Sequence, residues 1–156
     1  MTAPAYQAIG ATDIPELALL GSAGSARIVA GQFGETHGPA RTFTPMNVLD
    51  LRLKAGVRSE VAFPNGFTAL VLVLKGRAAV AGGEALGAAE LAILGRDGDG
   101  FVIEATEDST VLVLGGVPID EPVVSYGPFV MNTEAEIRQA IQDYRSGRMG
   151  RLSPAG

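Results

Sequence analysis

Apolar and polar residues alternate most cleanly at Leu49, Leu51 and Leu53, interleaved with Asp50, Arg52 and Lys54. A period of two puts the leucines on one face of an extended chain, so the pattern predicts a half-buried strand. Ala69 to Leu74 and Val111 to Leu114 are unbroken apolar runs, as in strands covered on both faces, or on one face by a partner. Arg27 to Phe33 reads as a further strand and Gly34 to Thr44 as a loop. Turn signals at Lys75-Gly76, Gly82-Gly83, Asp97 to Gly100 and Glu107-Asp108 cut the region from 50 to 115 into short, regularly spaced strands. Closure hides the edges of such strands, so the expectation is an all-β sandwich or small barrel closed on itself.

The period changes near the C-terminus. Thr133 and Glu136 have the spacing in which a hydroxyl caps a backbone N–H and a carboxylate reaches back, so a helix is predicted to start there. Ile137, Ala140, Ile141 and Tyr144 then form one apolar stripe, Glu134 and Arg138 pair one turn apart, and Gly147 supplies the stop. A helix this short is marginal alone, and burying a large apolar side chain contributes roughly 1.5–3 kcal/mol, so the stripe must dock on something. Ahead of it, Pro122 and Pro128 restrict the backbone while Val123, Val124, Tyr126, Phe129, Val130 and Met131 supply buriable area. Glu121 to Asn132 therefore reads as an ordered arm.

The chain of 156 residues suits one domain with a real core: a leading segment at 1–25, a barrel at 26–117, and the arm and helix at 118–156. No apolar run approaches the ~20 residues of a bilayer span. A net charge of −5 leaves no broad basic face, which argues against direct nucleic-acid binding. The absence of cysteine removes disulfides, thiolate metal sites and cysteine nucleophiles together. The start, M-T-A-P-A-Y-Q, has neither a basic nor an apolar leader region, so the expectation is a cytoplasmic protein.

Candidate chemistry is sparse. His37, the one histidine, sits in G-E-T-H-G-P with only Glu35 as a nearby carboxylate, and reads as a solvated loop residue. Asp97-Gly98-Asp99-Gly100 lacks the further ligands of a calcium loop and reads as a tight turn. No serine lies in a nucleophile elbow. Phe43, Phe63, Phe67 and Phe101 either line a barrel pocket or fill it, and filling is the expected use. Any pocket mouth is expected near Phe63 to Phe67 and Gly95 to Phe101.

Gly116 to Gly150, G-V-P-I-D-E-P-V-V-S-Y-G-P-F-V-M-N-T-E-A-E-I-R-Q-A-I-Q-D-Y-R-S-G-R-M-G, resembles the end of the pirin family, and P-A-Y-Q at Pro4 to Gln7 resembles the entry to that family's second domain. Pirins are bicupins with a metal-binding first barrel and a second barrel that carries no metal. The resemblance therefore implies a single cupin, a jelly-roll-like β-barrel or sandwich with a C-terminal arm and one helix. On the first motif of metal-binding cupins, Gly56 and Gly76 match the flanking glycines while the ligand positions hold Ala62, Pro64 and Ala69. On the second, Gly87 and Gly95 match, but the proline, histidine and final positions hold Ile93, Gly98 and Val102. The region from 56 to 106 contains no histidine or cysteine, so an imidazole-bound metal is excluded there by inventory, and no cofactor is expected.

In two-barrel pirins, the resemblance implies, the last helix packs on the first barrel. A homodimer that mimics the bicupin follows as an expectation, with Tyr126, Phe129, Ile137, Ile141 and Tyr144 as interface candidates. Three functions are in play: a non-catalytic interaction or regulatory module, a small-molecule-binding cupin, and half of a pirin-type quercetin dioxygenase whose iron lies in a separate metal-binding cupin. The chain itself has no metal-ligand or nucleophile constellation to make it an enzyme.

Overall fold

The computed structural model describes residues 5–150, so Pro4 of the entry motif lies outside the described residues. The chain divides after Pro118 into two compact units. The first contains strands β1 (Glu16–Ala18), β2 (Gly24–Ala30), β3 (Gln32–Phe33), β4 (Thr36–His37), β5 (Met46–Leu53), β6 (Arg58–Ala62), β7 (Thr68–Lys75), β8 (Ala78–Val80), β9 (Ala85–Leu86), β10 (Leu91–Leu94), β11 (Gly100–Ala105) and β12 (Ser109–Gly116). They form a six-stranded sheet, ordered β1-β2-β5-β12-β7-β10, and a four-stranded sheet, ordered β6-β11-β8-β9. Every pairing is antiparallel, as expected when short turns join the strands.

The alternation at Leu49, Leu51 and Leu53 holds: all three are buried on the inner face of β5. Leu49 pairs with Val113 and Ile28, and Leu51 with Val111 and Ala26, while Val113 and Val111 pair onward with Val71 and Val73. Val61, Ala78, Val80, Ile103 and Ala105 of the smaller sheet complete the same core cluster. Two sheets with one apolar face each solve their burial by facing one another.

The structure chooses between alternatives at two points and changes one reading of strand boundaries. The sheets form a sandwich and do not close into a barrel, because each ends on separate edge strands, β1 and β10 in one and β6 and β9 in the other. The strand read at Arg27 to Phe33 is β2, which starts at Gly24, stops at Ala30 and is separated from β3 by Gly31, and the stretch read as a loop contains β4, which pairs with β3 in a tight hairpin. The apolar runs in β7 and β12 are fully buried on the inner face only. Leu112 pairs with Leu72, and Leu114 with Leu70, across the outer face, where all four are half-buried. Leu91 and Ile93 of β10 extend these two rows and are exposed.

In the second unit the arm is a β-hairpin. Strands β13 (Val124–Tyr126) and β14 (Phe129–Met131) pair antiparallel. Pro128 lies in the connecting turn and Pro122 outside the ladder, where neither withholds a needed N–H. Gly127 turns the chain with φ +56°, a conformation that glycine adopts without steric cost. Asn132 closes the base: its Nδ2 donates to Glu121 Oε2 and to the Pro122 carbonyl, both at 2.9 Å.

Helix α1 (Glu134–Arg145) starts at the predicted capping box. Glu136 N donates to Thr133 Oγ1 at 3.2 Å, and Thr133 N donates to Glu136 Oε2 at 2.9 Å. Gly147, at φ +77°, follows the helix end. The stripe does dock, on its own hairpin: α1 packs against β13 and β14, the Phe129 and Tyr144 ring centroids are 6.4 Å apart, and Ile137 is 5% exposed.

Inner and outer faces of the large sheet make a direct test of where the core lies. Leu49→Ala is expected to cost about 2–5 kcal/mol in chemical denaturation because it leaves a buried cavity, whereas half-exposed Leu74→Ala falls well below that range.

Candidate functional site

One end of the sandwich gathers the cupin ligand positions. Ala62 ends β6, Pro64 follows in an exposed turn, Ala69 is buried on the inner face of β7, and Gly98 lies in the turn before β11. Backbone bonds tie the two loops together: Phe63 N donates to Asp99 O at 2.9 Å and Gly66 N to Arg96 O at 2.8 Å. Asn65 Oδ1 also accepts from Gly98 N at 3.2 Å. Pro64, Ala69 and Gly98 border one small cavity of about 150 Å³, whereas Ala62 faces elsewhere.

Between these positions stand phenylalanines. The Phe63 ring lies 5.9 Å from that of Phe67, edge-on, and 5.8 Å from that of Phe101. Phe63 is 4% exposed and seated against Gly115, where a Cβ would fall 2.7 Å from its ring carbons. Three of the four phenylalanines thus fill this end, each able to bury a large apolar area in edge-to-face contact. Phe43 takes no part, since it is 76% exposed in the segment before β5.

A metal-binding cupin needs imidazole and carboxylate donors converging at this mouth. Methyl groups, a proline, a glycine and three phenyl rings offer none, and among the described residues no group of three His, Cys, Asp or Glu is placed to hold an ion. The residues present do not fit such a metal.

A larger groove, about 710 Å³, adjoins the phenylalanine end. The β3–β4 hairpin, the start of β5, the loop from Ala62 to Phe67, and Asp99 line it, and His37 stands on its wall. His37 is exposed, as its loop setting implied, but it sits on β4 beside this groove. Asn47 is 7% exposed at the inner-face position where β5 otherwise carries leucine, and its Oδ1 accepts from Gln32 N at 3.1 Å. Gly31, at φ +76°, leaves room for that amide, since a Cβ there would collide with Asn47 Oδ1. A polar residue interrupting the series Asn47, Leu49, Leu51, Leu53 was the available sequence signal for this groove.

The interface candidates divide. Ile137 is buried and Phe129 and Ile141 half-buried, while Tyr126 and Tyr144 remain exposed.

Two facing antiparallel sheets joined by short turns, with a mouth at one end, are the architecture of a cupin. The chain belongs to the pirin family: the model of the pirin C-terminal cupin domain matches residues 48–150. A Pseudomonas aeruginosa protein provisionally named quercetin 2,3-dioxygenase is 45% identical over 95% of this chain and 51% of its own length. Homo sapiens pirin is 31% identical over 96% of this chain and 52% of its own. The crystal structure of an Acinetobacter baumannii quercetin 2,3-dioxygenase superposes with a TM-score of 0.90 at 44% identity, over 98% of this chain and 53% of that one. The chain spans about half the length of these relatives.

A displaced titration lies elsewhere, at Asp108. A hydrogen bond from Ala55 N at 2.9 Å, and the Lys54 ammonium at 3.1 Å, hold its carboxyl below the ordinary 3.8. A depressed carboxyl adds stability that is present above its unfolded pKa and lost as pH falls through the folded one. Wild type is therefore expected to lose this contribution below about pH 3.8, and Asp108→Asn to flatten that part of the stability profile in acid denaturation followed by circular dichroism.

Proposed function

We propose that this chain is a metal-free cupin module that docks a second cupin barrel and performs no redox chemistry of its own. The observation that carries the reading is the phenylalanine-filled mouth, where Ala62, Pro64, Ala69 and Gly98 stand at the cupin ligand positions. A module of this kind interacts or regulates, and in the absence of a different barrel its partner is a second copy of itself. The apolar outer rows of the large sheet support docking, because exposed contiguous apolar surface marks contact sites. Exposed Tyr126 and Tyr144 offer a second surface in the C-terminal unit. Ile137, spent against its own hairpin, is the weakest of the original interface candidates.

The 45% identity to a protein named as a quercetin dioxygenase favours one other reading. In it the chain is half of a pirin-type dioxygenase, and the iron belongs to a separate metal-binding cupin. Both readings place the protein in the cytoplasm.

Elemental analysis tests the shared premise. Protein purified without chelator, then loaded anaerobically with ferrous iron and desalted, is expected to retain only substoichiometric metal; stoichiometric iron overturns the reading. Sedimentation velocity tests the pairing. Wild type is expected to sediment as a dimer and to become monomeric with Ile93→Asp or Tyr144→Asp, both at exposed positions. A monomeric wild type refutes self-pairing, and a dimer that survives both substitutions refutes both surfaces.

A further inference from the structure

We infer that a groove at the end of the large sheet opposite the phenylalanine mouth is a site for a small phosphate monoester in its dianionic form. The inference goes beyond the docking and dioxygenase readings, since none of its residues stands at a cupin ligand position or in the apolar outer rows. β5 and β7 end here, at Leu53 and Lys75, and β12 begins here at Ser109. The groove they border holds about 400 Å³, within the roughly 300–1,000 Å³ typical of small-molecule sites. One cross-strand row runs through it: Ser25 pairs with Arg52, Arg52 with Thr110, and Thr110 with Lys75. Neighbouring strands lie about 4.8 Å apart, so the two cations rise from backbones roughly 9–10 Å apart with a hydroxyl between them. A guanidinium fork and an ammonium at that spacing close on one tetrahedral anion from opposite sides, and Thr110 donates from beneath.

Lys75 reaches the groove because of a bulge. Val111 pairs with Val73 but Thr110 pairs with Lys75, so β7 carries one extra residue, Leu74, at this point. Strict alternation from buried Val71 and Val73 would turn Lys75 to the inner face; the bulge brings it beside Arg52 and Thr110. Gly76, at φ +79°, then lets the chain turn closely against β12, where a Cβ would collide with Asp108 O and Ser109 Oγ. Charge selects the ligand. Three cations and two carboxylates line the groove, an excess of positive charge in a chain of net charge −5. Lys54 and Asp108 pair with each other at 3.1 Å, whereas Arg52 and Lys75 make no ion pair among the described residues. Two cations left without partners match a dianion, and a phosphate monoester is one above its second pKa of about 6. A sulfate monoester has the same tetrahedral shape and half the charge.

The probes are phenyl phosphate and phenyl sulfate, which differ in charge at about pH 8. Titration of the isotope-labelled chain at fixed ionic strength, followed by amide proton–nitrogen correlation spectra, is expected to move Gly24, Ser25, Arg52 to Lys54, Lys75 and Thr110 saturably with phenyl phosphate. Phenyl sulfate is expected to bind at least about tenfold more weakly. Arg52→Gln and Lys75→Gln, both at exposed positions, are each expected to weaken phenyl phosphate at least about tenfold while leaving the remaining spectrum native. Arg145→Gln removes the same charge from an exposed position in the C-terminal unit and is expected to leave the affinity unchanged, which separates a built site from diffuse attraction. No saturation with phenyl phosphate, saturable shifts confined to other residues, equal or tighter binding of phenyl sulfate, unaltered binding in either groove variant, or an equal loss in Arg145→Gln each overturns the assignment.

Discussion

The inner faces of β5, β12 and β7 hold the structure together. Leu49, Leu51, Val111, Val113, Val71 and Val73 form two cross-strand rows with essentially no exposure, and each buried side chain contributes roughly 1.5–3 kcal/mol. Neighbours in such rows stabilise one another beyond simple area, because β-branched and leucine side chains mesh across the ladder. Everything else in the first unit is placed by that contact. The smaller sheet exists to cover it, and the turns between strands take their positions from where the rows end.

At one end of the rows a cupin that binds metal would trade apolar contact for polar donors. This chain does the opposite. Phe63 sits in the space that Gly115 leaves open, and Phe67 and Phe101 pack against it. The core thus extends to its own mouth, which gains hydrophobic stabilisation and gives up the coordination chemistry that converging histidines allow. The neighbouring groove escapes this filling because Asn47 and Gly31 keep backbone and amide, not an apolar side chain, at its base.

The C-terminal unit shows local and packing constraints agreeing. Thr133 and Glu136 start the helix by satisfying backbone donors that the first turn leaves free, and Asn132 ties the hairpin ends just before it. With its start set this way, the helix lays Ile137 and Ala140 down within reach of β13 and β14. A motif of this specificity identifies a family through packing; it does not by itself state an activity.

Where the signal is local, the amino-acid sequence determined the outcome. Period-two alternation placed the inner leucines of β5, the S/T-x-x-E spacing started α1, glycine and aspartate marked the turns, and the lack of histidine and cysteine between 56 and 106 left the ligand positions without imidazole or thiolate donors. Only the tertiary structure decided what depends on residues distant along the chain. Ala69 to Leu74 and Val111 to Leu114 read identically whether one face is covered or two, because apolar periodicity records the propensity to be buried and not what does the burying. Open sheet edges instead of closure, and the Asn47 groove, arise from cross-strand register and from segments 15 to 33 residues apart that meet in space, where pairing geometry has no counterpart in local spacing.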